Sequence, residues 1–285
     1  MNVKKISFNG FDNCYALTGN SYKLIVVAEI GPRILHFSKN DSDNVLFVDK
    51  EKLIGKDDWK IYGGHRVWLS PESDDSYSPD NLMCEVHYDE DIFIVKSPVD
   101  DKTNIQKSIE IKFEKDYVNV KNIIENKSDF LYQGGIWALT CINQDFKINV
   151  PWGSDKNWSN KKIIYWDYWA GHNTDIGNRK INLKQESIEI INDKEELKIG
   201  TLSKDSFILA SKDDLSFIKK SIFQEASLYP DDNCNIEVYG CKDFFELETL
   251  SPSYTLFPNK KYIHLEKWFI LSEKIDISQA KKKFT

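Results

Sequence analysis

Histidine is scarce in this chain, with 5 among 285 residues. None of them recurs at the His-x-x-x-His or His-x-His spacing that a metal centre uses, so metal ligation is a minority reading. Gly-x-Ser-x-Gly is absent. The glycine pairs Gly63-Gly64 and Gly134-Gly135 fit neither a dinucleotide fingerprint nor a phosphate loop followed by Lys and Ser or Thr, which sets aside hydride transfer and nucleotide hydrolysis. No disulfide framework is visible. The five cysteines, Cys14, Cys84, Cys141, Cys234 and Cys241, are odd in number and widely spaced, as expected of reduced thiols in a cytoplasmic protein. Residues 1–20 lack the continuous apolar core of ~7–15 residues that a secretory signal needs, and no segment is long and apolar enough to span a membrane. Charge of one sign is also missing. Lys and Arg number 38 against 45 Asp and Glu, for a net charge of −7, and the lysines are scattered, so a phosphate backbone finds no basic stripe and nucleic acid is not an expected partner. The run Lys281-Lys282-Lys283 reads as a solvated tail.

Apolar residues are plentiful at 41%, with 13% aromatics that include 8 Trp and 13 Tyr. They recur at a period of two in short runs bounded by Asn, Asp, Gly, Ser and Pro, the pattern of half-buried strands. Candidate strands are residues 23–29, 31–38, 92–97, 107–114, 117–126, 134–141, 187–192, 206–210, 236–239, 244–250 and 263–271, with 107–133 expected to form hairpin-linked strands. Helical signal is confined to residues 49–53 and to 278–284, where Ser278 is the expected cap. With no repeat and no linker, residues 1–285 read as one all-β domain of large packed antiparallel sheets. The polar stretches 70–81 and 151–182 become loops at the sheet ends, rich in Trp and Tyr.

Two clusters carry chemistry. Tyr62-Gly63-Gly64-His65-Arg66-Val67-Trp68-Leu69-Ser70-Pro71-Glu72 gathers an imidazole, a guanidinium, an indole and a carboxylate, read either as a sugar site or as a glycine turn entering a strand with His65 and Trp68 packed. In Phe244-Phe245-Glu246-Leu247-Glu248-Thr249-Leu250, alternation puts Glu246 and Glu248 on one face, where mutual repulsion and burial raise carboxyl pKa values; a solvated polar face is the plainer reading. The i, i+2 pairs Glu85 with His87 and His264 with Glu266 read as acid–base pairs or as two of three ligands for a metal, with polar-face pairing beside Trp268 the simpler reading for His264 and Glu266. Indoles Trp152, Trp158, Trp166 and Trp169 crowd a segment without strand pattern, where stacking on sugar rings is the use that suggests itself.

Together these runs resemble a known family. Ala28-Glu29-Ile30-Gly31-Pro32-Arg33-Ile34, the Gly-Gly-His-Arg-Val-Trp run ending in Pro71-Glu72, Tyr77-Ser78-Pro79-Asp80-Asn81, Ile136-Trp137-Ala138-Leu139-Thr140, Tyr229-Pro230-Asp231, Glu246 to Pro252, Leu256-Phe257-Pro258 and His264 to Trp268 stand in the order of an uncharacterised bacterial branch of the galactose mutarotase-like, aldose 1-epimerase-like superfamily. The resemblance implies a supersandwich with a sugar cleft on a concave face. It also implies anomer interconversion, in which a Glu takes the anomeric hydroxyl proton and a His protonates the ring oxygen. Glu248 matches the base. Residues 134–141 match the strand that bears the acid histidine but hold Trp137 instead, which puts His65 forward as the acid. Arg33 and Arg66 are expected to hold substrate hydroxyls or acidic groups, Trp68, Trp137 and Trp166 to stack, and Glu72 and Glu246 to hydrogen-bond the sugar. Lys219 and Lys220 join the arginines as candidates for a phosphate or uronate. The expected ligand is a small sugar, with no cofactor. A carbohydrate-binding protein without catalysis, or a glycoside-cleaving enzyme pairing Glu72 with Glu248, are the alternatives.

Overall fold

The computed structural model describes residues 1–285 apart from 41, 57, 153–160, 176, 179 and 192–194. Among the described residues, two large antiparallel sheets of 11 and 10 strands face each other. In the first, Asn2–Phe8, Phe11–Gly19, Tyr22–Val27, Arg33–Lys39, His65–Ser70, Tyr132–Asn143, Phe244–Leu250, Ile236–Gly240, Leu197–Thr201 and Ile164–Tyr165 are successive neighbours, and Tyr254–Leu256 pairs off this path with the Tyr132 strand. The second runs Ile181–Leu183, Ser187–Ile190, Lys147–Pro151, Phe207–Lys212, Leu215–Ser221, Lys261–Leu271, Val118–Asn126, Ile105–Phe113, Ile92–Val99 and Glu85–Tyr88.

Alternation explains why the sheets meet as they do. On Val118–Asn126 every second residue, Val118, Val120, Asn122, Ile124 and Asn126, is buried. Val118, Val120 and Ile124 pack with Phe93, Val95, Ile109, Ile111, Phe217 and Trp268 of their own sheet against Leu24, Val26, Val67, Ile136, Phe245 and Leu247 of the other. Burial of a set this size is the main favourable term for such a sandwich, at roughly 1.5–3 kcal/mol for each large apolar side chain.

Every expected strand forms among the described residues, with bounds shifted by a residue or two, and the expected end at 192 lies outside them. The hairpin expectation holds for Ile105–Phe113 with Val118–Asn126, which pair in register. It fails beyond Asn126, because the next strand, Tyr132–Asn143, crosses to the first sheet and pairs with His65–Ser70 and Phe244–Leu250. Residues 49–53 form no helix; Asp49 instead accepts the backbone N–H of Ile54. The C-terminal helix is Ile277–Phe284, capped by Asp276 with Gln279 answering in a capping box, so Ser278 lies inside its first turn. Gly63 and Gly64 earn their place at the entry to the His65 strand. Both have positive φ, and a Cβ would come within 2.3 Å of Phe47 O and 2.0 Å of Ile34 O respectively.

Candidate functional site

In the middle of the first sheet lie five neighbours: His65–Ser70, Tyr132–Asn143, Phe244–Leu250, Ile236–Gly240 and Leu197–Thr201. Their apolar alternates, Val67, Ile136, Leu247, Val238 and Ile199, face the second sheet. The intervening residues therefore face away from it. Cross-strand register aligns them in rows, one running Arg66, Leu139, Glu248, Glu237 and Gly200, the next Cys141, Glu246, Tyr239 and Lys198. Polar and charged groups thus stand side by side on a rigid strand floor.

Over that floor lies a cavity of about 690 Å³. One wall is aromatic. Trp68 packs edge-on against Trp137 at 5.5 Å and Tyr77 at 5.2 Å, and Tyr77 meets Trp59 at 5.3 Å. Across from it the loop carrying Trp169 and His172 closes the space, with Tyr239 and Phe244 beneath. Glu196 fixes the His172 ring, since both its carboxylate oxygens lie 3.0 Å from Nδ1. No described residue hydrogen-bonds Nε2. Asp58 and Asp74 stand exposed at the mouth.

Charge on the floor is tightly arranged. The Arg66 guanidinium pairs with Glu246 at 2.8 Å, lies over the Trp68 ring at 4.4 Å and leaves its buried Nε without a partner among the described residues. Lys198 Nζ donates to Glu72 at 2.8 Å, lies 3.4 Å from Glu237 and sits over Trp137 at 4.5 Å. Burial alone would lower Lys198, yet Glu237, Glu248 and Glu72 outweigh it and hold the ammonium well above its ordinary value. Tyr77 donates to the other Glu72 oxygen at 2.5 Å. Glu237 is buried, with no hydrogen bond to either oxygen among the described residues, and burial pushes its carboxyl well above the usual range.

Glu248 stands at the centre. Its carboxyl is 1% exposed, Oε2 accepts the Trp137 indole N–H at 2.7 Å, and the buried Oε1 has no hydrogen-bond partner among the described residues. Burial drives it up to about 7, with Glu246 and Glu72 adding and Lys198 and the Trp137 bond opposing. A carboxyl in that range is half ionised near neutrality, the condition for giving and taking a proton in one cycle.

Of the residues singled out from sequence, Arg66, Trp68, Glu72, Trp137, Glu246 and Glu248 line the cavity. His65 does not. It falls on the opposite face of its strand, wholly buried between the sheets, with Nδ1 at 2.8 Å from Thr140 Oγ1 and Nε2 at 2.8 Å from Asn122 Oδ1. An imidazole with both nitrogens engaged and no path to the cavity cannot protonate a ligand there, so its expected role is withdrawn. Arg33 likewise lies outside the cavity lining. It is paired with Asp80 at 2.7 Å and bonded to the carbonyls of Ile61 and Gly63, which secures the chain at those residues. Trp166 stands behind Lys198, at 5.1 Å from its Nζ, in the space that Gly200 leaves free, and lies outside the cavity lining. Trp158 lies outside the described residues.

Lys198 and His172 escaped the sequence reading. Lys198 belongs to the five-residue strand Leu197–Thr201, whose alternation of Leu197, Ile199 and Thr201 with Lys198 and Gly200 is the signal that points to it. His172 sits in an irregular loop, where no periodicity exists to read.

No family model matches the chain, and no curated protein matches it by sequence. Solved structures do match. It is similar to a candidate aldose 1-epimerase from Escherichia coli K12, at 11% identity and a TM-score of 0.61, over 91% of this chain and 99% of that one. A galactose mutarotase-like protein from Lactobacillus casei ATCC 334 matches at 9% identity and a TM-score of 0.61, over 91% and 100% of the two chains. The chain has the galactose mutarotase-like fold. A galactose mutarotase related enzyme from Lactobacillus acidophilus matches over 92% of this chain and 99% of its own, at 10% identity and a TM-score of 0.58. Identity this low carries the galactose mutarotase-like architecture and leaves the chemistry to be argued from the cavity itself.

Proposed function

We propose that the protein interconverts the anomers of a small aldose, acting as an aldose 1-epimerase-like isomerase with Glu248 as its base. The observation that carries this reading is the Glu248 carboxyl: buried on the cavity floor, held by Trp137, raised to about 7, and left with one oxygen that has no hydrogen-bond partner among the described residues. Oε1 takes the proton of the anomeric hydroxyl while the ring oxygen is protonated and the C1–O5 bond opens. After rotation about C1–C2 the two proton transfers reverse and the ring recloses on the other face. His172, rather than His65, supplies the ring proton, because it is the imidazole that lines the cavity and Glu196 fixes its orientation. The indoles of Trp68 and Trp137 offer apolar surface to the sugar beside the Arg66 guanidinium.

The charge arrangement favours an uncharged sugar. Among the described residues, the side chains that line the cavity and carry positive charge are Arg66 and Lys198, with His172 joining them when it bears the proton it supplies, and each is already held by a carboxylate. Arg33, Lys219 and Lys220, the other candidates for a phosphate or uronate, lie outside the cavity lining. Hydrolysis is disfavoured for a similar reason. Glu72, the second carboxyl of a glycoside-cleaving pair, has one oxygen on Tyr77 and the other on Lys198. Saturation-transfer NMR on a panel of aldoses, sugar phosphates and uronic acids tests the proposal. Exchange above the spontaneous rate in wild type and not in Glu248→Gln supports an isomerase; binding without exchange would leave a carbohydrate-binding protein.

A further inference from the structure

Directly behind the cavity floor lies a second cluster of buried polar groups. Lys219, on the strand Leu215–Ser221 of the second sheet, is fully buried and reaches across the core. Its Nζ donates to Ala138 O and to Leu247 O, both at 2.8 Å, and lies 3.1 Å from Glu266 Oε1. Ala138 follows Trp137 and Leu247 precedes Glu248. One ammonium therefore ties together two neighbouring strands beside the very residues whose side chains bond to each other on the far face.

The rest of the cluster holds that ammonium in place. Glu266 accepts from Thr249 Oγ1 and from Trp268 Nε1 at 3.0 Å. Because the Thr249 hydroxyl proton goes to Glu266, His264 Nε2 donates to Thr249 at 2.8 Å. His65 Nε2 stands 3.9 Å from Glu266, and its ring packs edge-on against Trp268 at 4.8 Å. Stability alone is a weak reason for such a cluster, since buried ion pairs are often replaceable by apolar residues at no net cost. What an apolar side chain cannot do is bond two particular carbonyls at once.

We propose that Lys219 is a positioning residue for the cavity, setting the relative placement of Trp137 and Glu248 from the opposite face of the sheet. Its consequence for turnover rests on the reading of Glu248 as the base; its consequence for the Trp137–Glu248 bond does not. The charge-balanced variant Lys219→Met with Glu266→Gln tests it in sugar-free protein, where Lys198, Glu237, Glu246 and Glu72 around Glu248 are unchanged. Carboxyl ¹³C titration is expected to show the Glu248 midpoint rising by about half a pH unit or more, and the Trp137 indole N–H resonance moving upfield as its hydrogen bond loosens. With a confirmed sugar, kcat falls by about tenfold while KM hardly changes. A folded variant with the wild-type midpoint and indole resonance overturns the proposal. Should the variant not fold, Lys219→Arg, which keeps the charge and displaces the donors, decides: the Trp137 indole N–H resonance is expected to move from its wild-type position, and a resonance that stays in place overturns the proposal. Absence of sugar exchange in wild type would count against the isomerase reading alone.

Discussion

The indole N–H of Trp137 donates to Glu248 Oε2 at 2.7 Å, from one strand to the next across the cavity floor. A donor on a carboxylate favours its ionised form, so this bond opposes the burial that raises Glu248. Trp137→Phe keeps an aromatic face for a sugar and removes the donor. Glu248 is expected to climb further above about 7, moving the acidic limb of kcat/KM upward by about one pH unit, since a hydrogen bond to a charged group is worth roughly 1.5–3 kcal/mol. An acidic limb unmoved in the pH–rate profile would count against Glu248 as the titrating base.

Replacing the base itself separates catalysis from stability. Glu248→Gln should reduce anomeric exchange by about 10²–10⁴-fold. Folding should respond in the opposite direction. A carboxyl raised to about 7 from an ordinary 4.5 contributes stability below pH 4.5 that is lost as pH rises through 7, a difference of about 3 kcal/mol at most. The glutamine variant lacks that loss. Its melting temperature is expected to match wild type near pH 4.5 and exceed it by a few degrees at pH 8, and equal values at pH 8 would argue that Glu248 ionises without cost.

The two histidines should part in kinetics. His172→Asn removes the proposed donor from the cavity and should lower kcat by about 10²-fold with the fold intact. His65→Gln touches a buried pair of hydrogen bonds, to Thr140 and Asn122, and should cost about 1–3 kcal/mol of stability with little change in kcat once folded. The reverse pattern, read from melting curves and exchange rates together, would return the acid role to His65.

Why the structure puts Glu248 on the expected face and His65 off the cavity is a matter of what a period of two can say. In the Phe244–Leu250 strand alternation predicts a shared face for Glu246 and Glu248, and they share it. The same alternation divides the other strand into His65, Val67 and Leu69 against Arg66, Trp68 and Ser70. Which set meets a cavity is decided by the partner sheet, whose Trp268 and Asn122 claim His65, and by loops far off in sequence. Arg33 shows the same gap, because its partner Asp80 lies 47 positions away. The all-β class, by contrast, was legible, since strands such as Val118–Asn126 carry a clear alternation, although others, Leu197–Thr201 and Leu215–Ser221 among them, were not read from it. The crossing of Tyr132–Asn143 to the other sheet was not legible, since topology leaves no mark on a single strand.

Charge pairing on the floor sets a preference among ligands. With Arg66 held by Glu246 and Lys198 by Glu72, a phosphate or carboxylate on the sugar meets no uncommitted cation among the described cavity residues and adds repulsion from Asp58, Asp74 and the floor glutamates. A neutral aldose is expected to bind at least about tenfold more tightly than its 6-phosphate or its uronate, an advantage of about 1.4 kcal/mol. Titration calorimetry on matched sugars checks it, and tighter binding of the anionic member would show that one of the floor ion pairs opens to receive it.

The buried imidazoles of His65 and His264 and the half-buried one of His36 set the acid limit of the fold. Burial lowers His36, His65 and His264 from 6.5 to about 4 each. Each therefore contributes stability that is complete above pH 6.5 and is lost as pH falls toward 4, because the unfolded chain takes up protons there and the folded one does not. Glu266 extends the trend. Its carboxyl, held down to about 2 against burial by Lys219 and the two neighbouring histidines, loses its contribution between about 4.5 and 2. His65 and His264 both face Glu266, so protonating one alters the other and the losses do not add. Melting temperature is expected to fall steadily below pH 6.5 in the double variant Glu237→Gln with Glu248→Gln, where both of the raised floor carboxyls that oppose the trend are removed. His264→Gln in the same background should flatten the decline between pH 6.5 and 4; an unchanged slope would mean that His264 takes up its proton without disturbing the cluster around Glu266.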